Sequence, residues 1–272
     1  MRRGPAGINP AARLVTFSMS GALSEIFSLP ISNRIAVDPR QIRCVAFDAV
    51  GTLIHPSPPA AEAYHRYAVK FGSRLPGEEI ARRFRSAFRA TERGDIDGVI
   101  DALAPRLATS EEIEFRRWKA IVTQVIDDIA DGEGCFADLF RHFSLPESWG
   151  CFGDVGETLE RLRCGGIRIA LASNFDGRLH AVSDGIPEIR DIACRVVSSE
   201  VGFRKPSREF FAALLAKCDC QPGELLMVGD DRENDSDGAG AAGIPAVLIN
   251  RQSPTAADEI GSLLDLPAWL GM

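Results

Sequence analysis

Residues 43–53 have the sequence RCVAFDAVGTL. After Arg43 comes an apolar run with the length and composition of a buried β-strand, and Asp48 stands where that run ends. Gly51 permits a tight turn directly afterwards. In layered α/β proteins, the carboxyl ends of the strands are where reactive groups meet a ligand. The stretch therefore predicts a buried strand over residues 43–48 that presents a carboxylate at a ligand-binding edge.

The composition narrows the class of protein. The chain has 272 residues, of which 45% are hydrophobic and 25% charged, as is ordinary for a soluble globular protein. Its net charge of −7 argues against nucleic acid or an anionic membrane as a partner, and no segment has the ~18 apolar residues of a membrane span. Seven cysteines without regular spacing indicate reduced thiols and a cytoplasmic protein. We interpret residues 1–40 as a poorly ordered N-terminal leader rather than a targeting peptide.

The segment from residue 58 to residue 151 is predicted to be helical, without strands. Its apolar periodicity and its turn residues place helices at 60–71, 78–93, 110–129 and 135–143. The third helix is the clearest, because Ser110 is a good N-cap and apolar residues then recur near a 3.6-residue period. A tight turn and a flap, over residues 50–55, precede this helical segment.

A different pattern begins after residue 152. Apolar strands are predicted at 167–172, 195–198, 225–228 and 246–249. Helices are predicted between and after them, at 154–163, 207–217 and 255–264. Strands that alternate with helices form parallel β-α units. The sequence therefore predicts an α/β sheet that a helical insertion interrupts after the first strand.

Polar residues follow four of the predicted strands. In chain order they are Asp48, Ser173 with Asn174, Lys205, and Asp230 with Asp235. Each of these, taken alone, is commonly a cap, a turn residue or a solvated side chain. In a parallel sheet, however, all four strand ends lie at the same edge. We therefore expect these side chains to converge.

This ordered set resembles the four motifs of the haloacid dehalogenase (HAD) superfamily, over about residues 43–243. The resemblance implies a Rossmann-like parallel sheet core with helices on both faces, formed by residues 41–57 and 152–272. It also implies an inserted all-α helical cap over residues 58–151, as in the subfamily (subfamily I) that includes haloacid dehalogenases and phosphoglycolate phosphatases. The activity implied is hydrolysis of a phosphorylated small molecule.

The resemblance assigns the carboxylates to a nucleophile and a Mg²⁺ site. Asp48 would attack phosphorus and form an aspartyl-phosphate, which divides one difficult step into two easier ones. Mg²⁺ prefers oxygen ligands, and its protein ligands would be Asp48, Asp230 and the backbone carbonyl of Val50. Asp235 and Thr52 would hold these ligands in their arrangement.

The resemblance assigns the remaining residues to the phosphate. The Ser173 hydroxyl and the backbone amide of Asn174 would donate hydrogen bonds to phosphate oxygens. Lys205 would place a positive charge beside Asp48 and the phosphoryl group, where it stabilises the developing negative charge.

The chain departs from the family pattern at Val50. In the family's phosphatases the residue at this position is an aspartate, which protonates the leaving oxygen and then activates the hydrolytic water. Valine can do neither. The loss of general acid–base help typically lowers a rate by about 10² to 10⁴.

Three interpretations of Val50 follow. The first is a Mg²⁺-dependent phosphatase that uses another acid, from His55, Tyr64 or His65, or that acts on an undemanding leaving group. The second is a metal-independent 2-haloacid dehalogenase, in which the aspartate displaces halide from carbon; such enzymes often have tyrosine at this position and generally lack the acid that Asp230 supplies here. The third is a catalytically impaired member that binds a ligand or a protein. The presence of Asp230 favours the first interpretation.

Overall fold

The computed structural model describes residues 38–93 and 107–272. These residues contain eight strands: β1 (Cys44–Phe47), β2 (Ile54–Pro56), β3 (Trp149–Cys151), β4 (Arg168–Ser173), β5 (Cys194–Val197), β6 (Leu225–Gly229), β7 (Ala246–Ile249) and β8 (Glu259–Ile260). Six of them form one sheet in the order β5-β4-β1-β6-β7-β8, and every pairing in it is parallel. The predicted α/β fold is confirmed, with β1 in the middle of the sheet.

In its described residues, 58–93 and 107–148, the helical insertion contains four α-helices between β2 and β3. They are α1 (Ala60–Lys70), α2 (Gly77–Arg93), α3 (Glu111–Val125) and α4 (Gly132–His142). These helices share a hydrophobic cluster that includes Tyr64, Ile80, Ile121 and Leu139. Ser110 caps α3 as predicted, because its side chain accepts the Ile113 N–H. The four predicted helices are thus confirmed, with ends that differ by a few residues.

Six further helices connect or flank the strands of the sheet. They are α5 (Val155–Cys164), α6 (Arg178–Gly185), α7 (Ser198–Val201), α8 (Arg208–Cys218), α9 (Gly238–Ala241) and α10 (Leu266–Trp269). Successive side chains of β1 point to opposite faces of the sheet. Val45 and Phe47 belong to one hydrophobic cluster, whereas Cys44 and Ala46 belong to another. A strand buried on both faces has an almost continuous apolar sequence, which is why this run was recognisable.

Two sequence predictions were wrong. The helix expected over 255–264 is instead a loop followed by β8, and the Glu259 carboxylate holds the loop by accepting the Thr255 N–H at 2.7 Å. The segment expected to contain no strand ends in β3, which pairs antiparallel with β2. Strands of two or three residues have no measurable periodicity, so only their pairing partners reveal them. α6 was also missed.

Some expectations concern the ends and boundaries of the chain. Residues 1–37, which make up most of the predicted leader, lie outside the described residues. The predicted boundaries between core and cap, at 57/58 and 151/152, stay a prediction. Within residues 38–93 and 107–272, none of the helices combines the length and the apolar character needed to cross a membrane.

Candidate active site

The carboxyl edge of the sheet brings together the residues that the sequence singled out. Asp48 follows β1 directly, and its backbone N–H donates to the Val228 carbonyl of β6 at 2.8 Å. This bond extends the parallel ladder by one residue and fixes the backbone from which the carboxylate projects. The residue is only 8% exposed. Asp48 therefore lies where the buried strand ends, as predicted, and it lines a cavity.

Lys205 is the centre of the site. It is 2% exposed, and its ammonium donates to Asp48 Oδ1 at 2.7 Å, to Asp235 Oδ1 at 2.6 Å and to the Ala172 carbonyl at 2.8 Å. An ammonium has three N–H groups, so these three acceptors satisfy all of them. Lys205 thus bridges the carboxylates of Asp48 and Asp235 at the end of β4.

Asn174 has a role that the sequence did not reveal. Its side-chain oxygen accepts the Lys205 backbone N–H at 2.7 Å, and its amide nitrogen donates to the Lys205 carbonyl at 3.1 Å. This two-bond clamp fixes the loop that carries Lys205. The side chain is therefore committed to positioning, whereas the role predicted for its backbone amide stays a prediction.

The two oxygens of the Asp48 carboxylate are not equivalent. Oδ1 accepts the Ser173 hydroxyl at 3.1 Å as well as the Lys205 ammonium. In the part of the chain that the structure describes, no hydrogen bond reaches Oδ2. One oxygen is consequently held in place by two donors, and the other retains its lone pairs for a new bond.

Three carboxylates converge beside Lys205. Asp48, Asp230 and Asp235 each offer an oxygen within 4.8 Å of the others. Thr52 Oγ1 donates to Asp230 Oδ1 at 3.1 Å, and its predicted role in supporting a metal ligand stays a prediction. Asp235 lies in the turn after β6, where the Asp231 N–H donates to its Oδ2 at 3.1 Å. The predicted site residues are thus close together in space.

Gly51 allows Asp230 to come this close. Its φ of +95° belongs to the left-handed region, which favours glycine. A Cβ atom at this position would lie 2.6 Å from Asp230 Cγ, which is closer than atoms can approach. The glycine predicted to permit the turn therefore also makes room for a carboxylate.

The site carries an excess of negative charge. Burial raises the pKa of Asp48, while Lys205 opposes this effect. Asp230 is exposed to the cleft, but the surrounding protein still removes part of its hydration. This desolvation, and after it the charge of Asp235, raise the pKa of Asp230 to about 6. Burial likewise raises the pKa of Asp235 to about 6. Burial alone would lower the pKa of Lys205, but Asp235 and Asp48 outweigh it and raise that pKa, so the ammonium stays charged.

These residues fit a magnesium ion. One ammonium cannot balance three carboxylates, and a divalent cation would offset the remaining repulsion. The donors are hard oxygens that converge from two strand ends, which is the donor set that Mg²⁺ prefers.

A cavity of about 420 Å³ lies above the carboxylates, and the helical insertion contributes much of its wall. Val50 lines it, half-buried. Of the three residues considered as alternative acids, only Tyr64 lines it, and burial raises the pKa of its hydroxyl. The His55 ring packs against Phe152 with centroids 4.8 Å apart, and neither His55 nor His65 is part of the described lining.

The segment before α3 is tied to the loop that carries Lys205. The Thr109 N–H donates to the Gly202 carbonyl and the Arg204 N–H donates to the Leu107 carbonyl, both at 2.9 Å. This short antiparallel pairing fixes one edge of the insertion beside the charged cluster.

The aromatic character of the wall was not predicted from the sequence. Seven of the lining residues are aromatic: Tyr64, Phe84, Phe88, Trp118, Phe143, Trp149 and Phe175. Aromatic residues at helical spacing are usually core residues, so the spacing gave no signal for a binding surface.

Comparison with known proteins places the chain in a family. Residues 42–243 match the family model of the haloacid dehalogenase-like hydrolases. The chain therefore belongs to this family and is a hydrolase of the HAD type.

Two relatives illustrate its range. The chain is 26% identical over 215 residues to human haloacid dehalogenase-like hydrolase domain-containing protein 3, which covers 77% of this chain and 82% of that protein. It is 27% identical over 246 residues to a ribulose-1,5-bisphosphate 5-phosphatase from Halopiger xanaduensis, with 82% and 98% coverage.

Solved structures confirm the fold. A HAD phosphatase from Thermococcus onnurineus superposes with a TM-score of 0.59 at 22% identity, covering 85% of this chain and 98% of that one. A 2-haloacid dehalogenase from Pseudomonas syringae pv. Tomato superposes with a TM-score of 0.58 at 19% identity, with the same coverage. Because phosphatases and dehalogenases share this fold, the chemistry has to be argued from the site.

Proposed function

We propose that the protein is a Mg²⁺-dependent phosphate-ester hydrolase in which Asp48 forms an aspartyl-phosphate. The observation that carries this proposal is the convergence of Asp48, Asp230 and Asp235 around the buried ammonium of Lys205. A dehalogenase that attacks carbon needs no divalent cation, whereas three carboxylates that share a single ammonium favour one.

The first step is the transfer of the phosphoryl group to Asp48. Its Oδ2 attacks phosphorus and forms a new P–O bond, while the bond to the leaving oxygen breaks and that oxygen keeps the electron pair. The Lys205 ammonium and the Ser173 hydroxyl hold Oδ1, so the carboxylate is oriented before the substrate arrives. The Asn174 clamp keeps Lys205 in position.

The proposed metal ligands are Asp48, Asp230 and the backbone carbonyl of Val50. When bound, Mg²⁺ would offset the repulsion between the anionic nucleophile and the anionic phosphate. Thr52 holds Asp230 through its hydroxyl, and Asp235 reaches the same cluster through Lys205.

The second step is the attack of water on the phosphorus of phospho-Asp48, which releases inorganic phosphate and regenerates the carboxylate. Val50 can neither take a proton from that water nor give one to the leaving oxygen. We therefore expect the intermediate to be hydrolysed slowly. We also expect the protein to prefer aryl or acyl phosphates, whose leaving groups depart as stable anions.

The substrate and the location belong to the same proposal. A cavity of this size suits a phosphorylated small molecule. All seven cysteines are free thiols in the structure, which supports a protein of the reducing cytoplasm.

The direct test is intact-mass spectrometry after mixing the protein with acetyl phosphate and Mg²⁺. We expect a mass increase of one phosphoryl group, which does not form when EDTA replaces Mg²⁺. The same sample should release no halide from 2-chloropropionate or fluoroacetate in EDTA. Halide release without a phosphoryl adduct would contradict the proposal and identify a dehalogenase.

Magnesium should stabilise the folded protein, and Gly51→Ala should remove this effect. At 100 times its Kd, a ligand that binds only the native state adds about 2.7 kcal/mol to the free energy of unfolding. In Gly51→Ala the new Cβ displaces Asp230, so we expect most of that gain to disappear. Urea titrations in EDTA and in saturating Mg²⁺ measure the difference.

Gly72→Ala is the matched control for this experiment. Gly72 has a φ of +91°, close to that of Gly51, but its added Cβ would meet no atom within 4 Å. Both variants should therefore lose about 1–2 kcal/mol to left-handed backbone strain. Only Gly51→Ala should lose the Mg²⁺-dependent part, and an equal response of the two variants to Mg²⁺ would contradict the assignment of Asp230 as a ligand.

A further inference from the structure

The cavity has two chemically different ends. Its floor carries the charged cluster around Lys205, whereas the wall contributed by the helical insertion is largely aromatic. A ligand that fills the cavity must therefore have an anionic group at one end and a body suited to apolar, aromatic surroundings at the other. Phosphoryl transfer at the charged cluster places no requirement on the structure of that body.

The aromatic side chains form one continuous panel across three helices. Tyr64 of α1 lies against Phe84 of α2, with ring centroids 4.7 Å apart. Phe84 stacks on Phe88 at 6.0 Å with an angle of 26° between the rings, and Phe88 meets Trp118 of α3 at 6.2 Å. All four residues line the cavity. Flat aromatic groups bind well to such a surface, through offset stacking and edge-to-face contacts.

A partly buried guanidinium lies against the aromatic side chains, and its charge is already paired within the protein. The Arg178 guanidinium lies 3.8 Å from the ring centroid of Phe140 and 5.8 Å from that of Trp118. Asp176 accepts two hydrogen bonds from it, at 2.8 and 2.7 Å. The fork of Arg178 is therefore satisfied by its own neighbour, and the residue serves to support the rings.

The charged residues of the wall are engaged in the same way. Glu114 accepts the Thr109 hydroxyl at 2.6 Å and an N–H of Arg117 at 3.1 Å. The hydroxyls of a sugar would have to compete for these buried partners or face the rings unpaired, which costs free energy. The wall therefore disfavours polyhydroxylated substrates.

We propose that the natural substrate is an aryl phosphate, with its ring against the panel formed by Tyr64, Phe84, Phe88 and Trp118. This inference rests on the proposed function and adds the substrate class to it. Two independent observations agree. An aromatic wall favours an aromatic body, and the aliphatic Val50 favours a leaving group that departs without a proton, as a phenolate does.

The test compares two aryl phosphates, whose leaving groups have similar acidity but different size, with a sugar phosphate. We expect kcat/KM for 2-naphthyl phosphate to exceed that for phenyl phosphate by about tenfold or more, because the second ring buries additional apolar area. Glucose 6-phosphate should be the poorest of the three substrates. If glucose 6-phosphate is preferred, or if the two aryl phosphates are equal, the inference is overturned.

Two phenylalanine variants assign the preference to the panel. Phe88 is 38% exposed and lines the cavity, whereas Phe115 is 42% exposed, packs on Phe136 and Phe140, and does not line it. Phe88→Ala should reduce the preference for 2-naphthyl over acetyl phosphate about tenfold, and Phe115→Ala should leave it unchanged. Phe88→Leu, which keeps most of the packing volume, should give an intermediate loss. Equal effects of the two alanine variants would contradict the assignment.

A binding experiment separates this inference from the proposed function. The probe is 2-naphthylmethylphosphonate, which has a P–C bond in place of the ester P–O bond and therefore cannot transfer its phosphoryl group. Calorimetry in Mg²⁺ measures its affinity and that of methylphosphonate. We expect the naphthyl compound to bind about tenfold or more tightly, with the difference lost in Phe88→Ala. If this holds while no phosphate is hydrolysed, the aromatic site stands and the hydrolase proposal fails. If acetyl phosphate forms the adduct while the two phosphonates bind equally, the hydrolase proposal stands and the aromatic site fails.

Discussion

Asp48→Asn should abolish both the phosphoryl adduct and the turnover. An amide oxygen is too weak a nucleophile to attack phosphorus, and removal of a covalent nucleophile lowers kcat by on the order of 10⁴ to 10⁶. The variant should still fold, because an asparagine oxygen can accept the same hydrogen bonds from Lys205 and Ser173. Initial rates with an aryl phosphate and intact mass after incubation with acetyl phosphate measure the two losses.

Asp235→Asn is the control for the charge that this substitution removes. Asp235 also accepts a hydrogen bond from Lys205, at 2.6 Å compared with 2.7 Å for Asp48, so the two variants take one charge from the same cluster. We expect Asp235→Asn to react more slowly but still to gain the mass of a phosphoryl group. An adduct in Asp48→Asn would show that another residue is the nucleophile.

Val50→Asp should raise the turnover of alkyl phosphates by about 10² to 10⁴, the usual contribution of general acid–base catalysis. The new carboxyl group would lie where Val50 now lines the cavity, beside the cluster that contains Asp48. Alkoxides are poor leaving groups and gain most from a proton, so the gain for aryl phosphates should be much smaller. The phospho-Asp48 adduct should also become shorter-lived, because the new carboxylate can activate water. Steady-state rates with ethyl phosphate and phenyl phosphate, in saturating Mg²⁺, provide the comparison.

Val50→Asn separates proton transfer from simple polarity. Asparagine has the shape of aspartate but no ionisable group, so it can act neither as a general acid nor as a general base. It also loses the apolar contacts of Val50 with the core, as aspartate does, so the two variants share the same structural cost. We expect Val50→Asn to resemble the wild type in its preference for aryl phosphates. If Val50→Asn accelerates ethyl phosphate as much as Val50→Asp, then general acid–base catalysis is not what this position lacks.

Much of the fold could be predicted because its signals are local. The run that ends at Phe47 is apolar throughout, since both faces of β1 are covered. Ser110 and the periodic residues after it identify α3 within a single stretch of chain. The order of Asp48, Ser173, Lys205 and Asp230 along four strand ends was enough to predict their convergence, because parallel strands share one carboxyl edge.

The errors occurred where structure depends on distant partners. β2 and β3 have three residues each and exist because Ile54 pairs with Cys151, almost a hundred residues away. Residues 255–264 form no α-helix because β8 extends the sheet beside β7 and Glu259 holds the preceding loop. Neither interaction leaves a periodic pattern in the residues that make it.

The sequence alone was thus sufficient for the α/β class, for the central strand and for the list of residues that meet at the carboxyl edge, since each depends on residue type and short-range spacing. Tertiary structure was needed to show that the Lys205 ammonium is saturated by three acceptors and that the Asn174 side chain holds the Lys205 backbone. It was also needed to show that aromatic residues from three helices face the carboxylates across one cavity. Such contacts join side chains that are far apart in the chain, and their distances are set by the packing of whole elements.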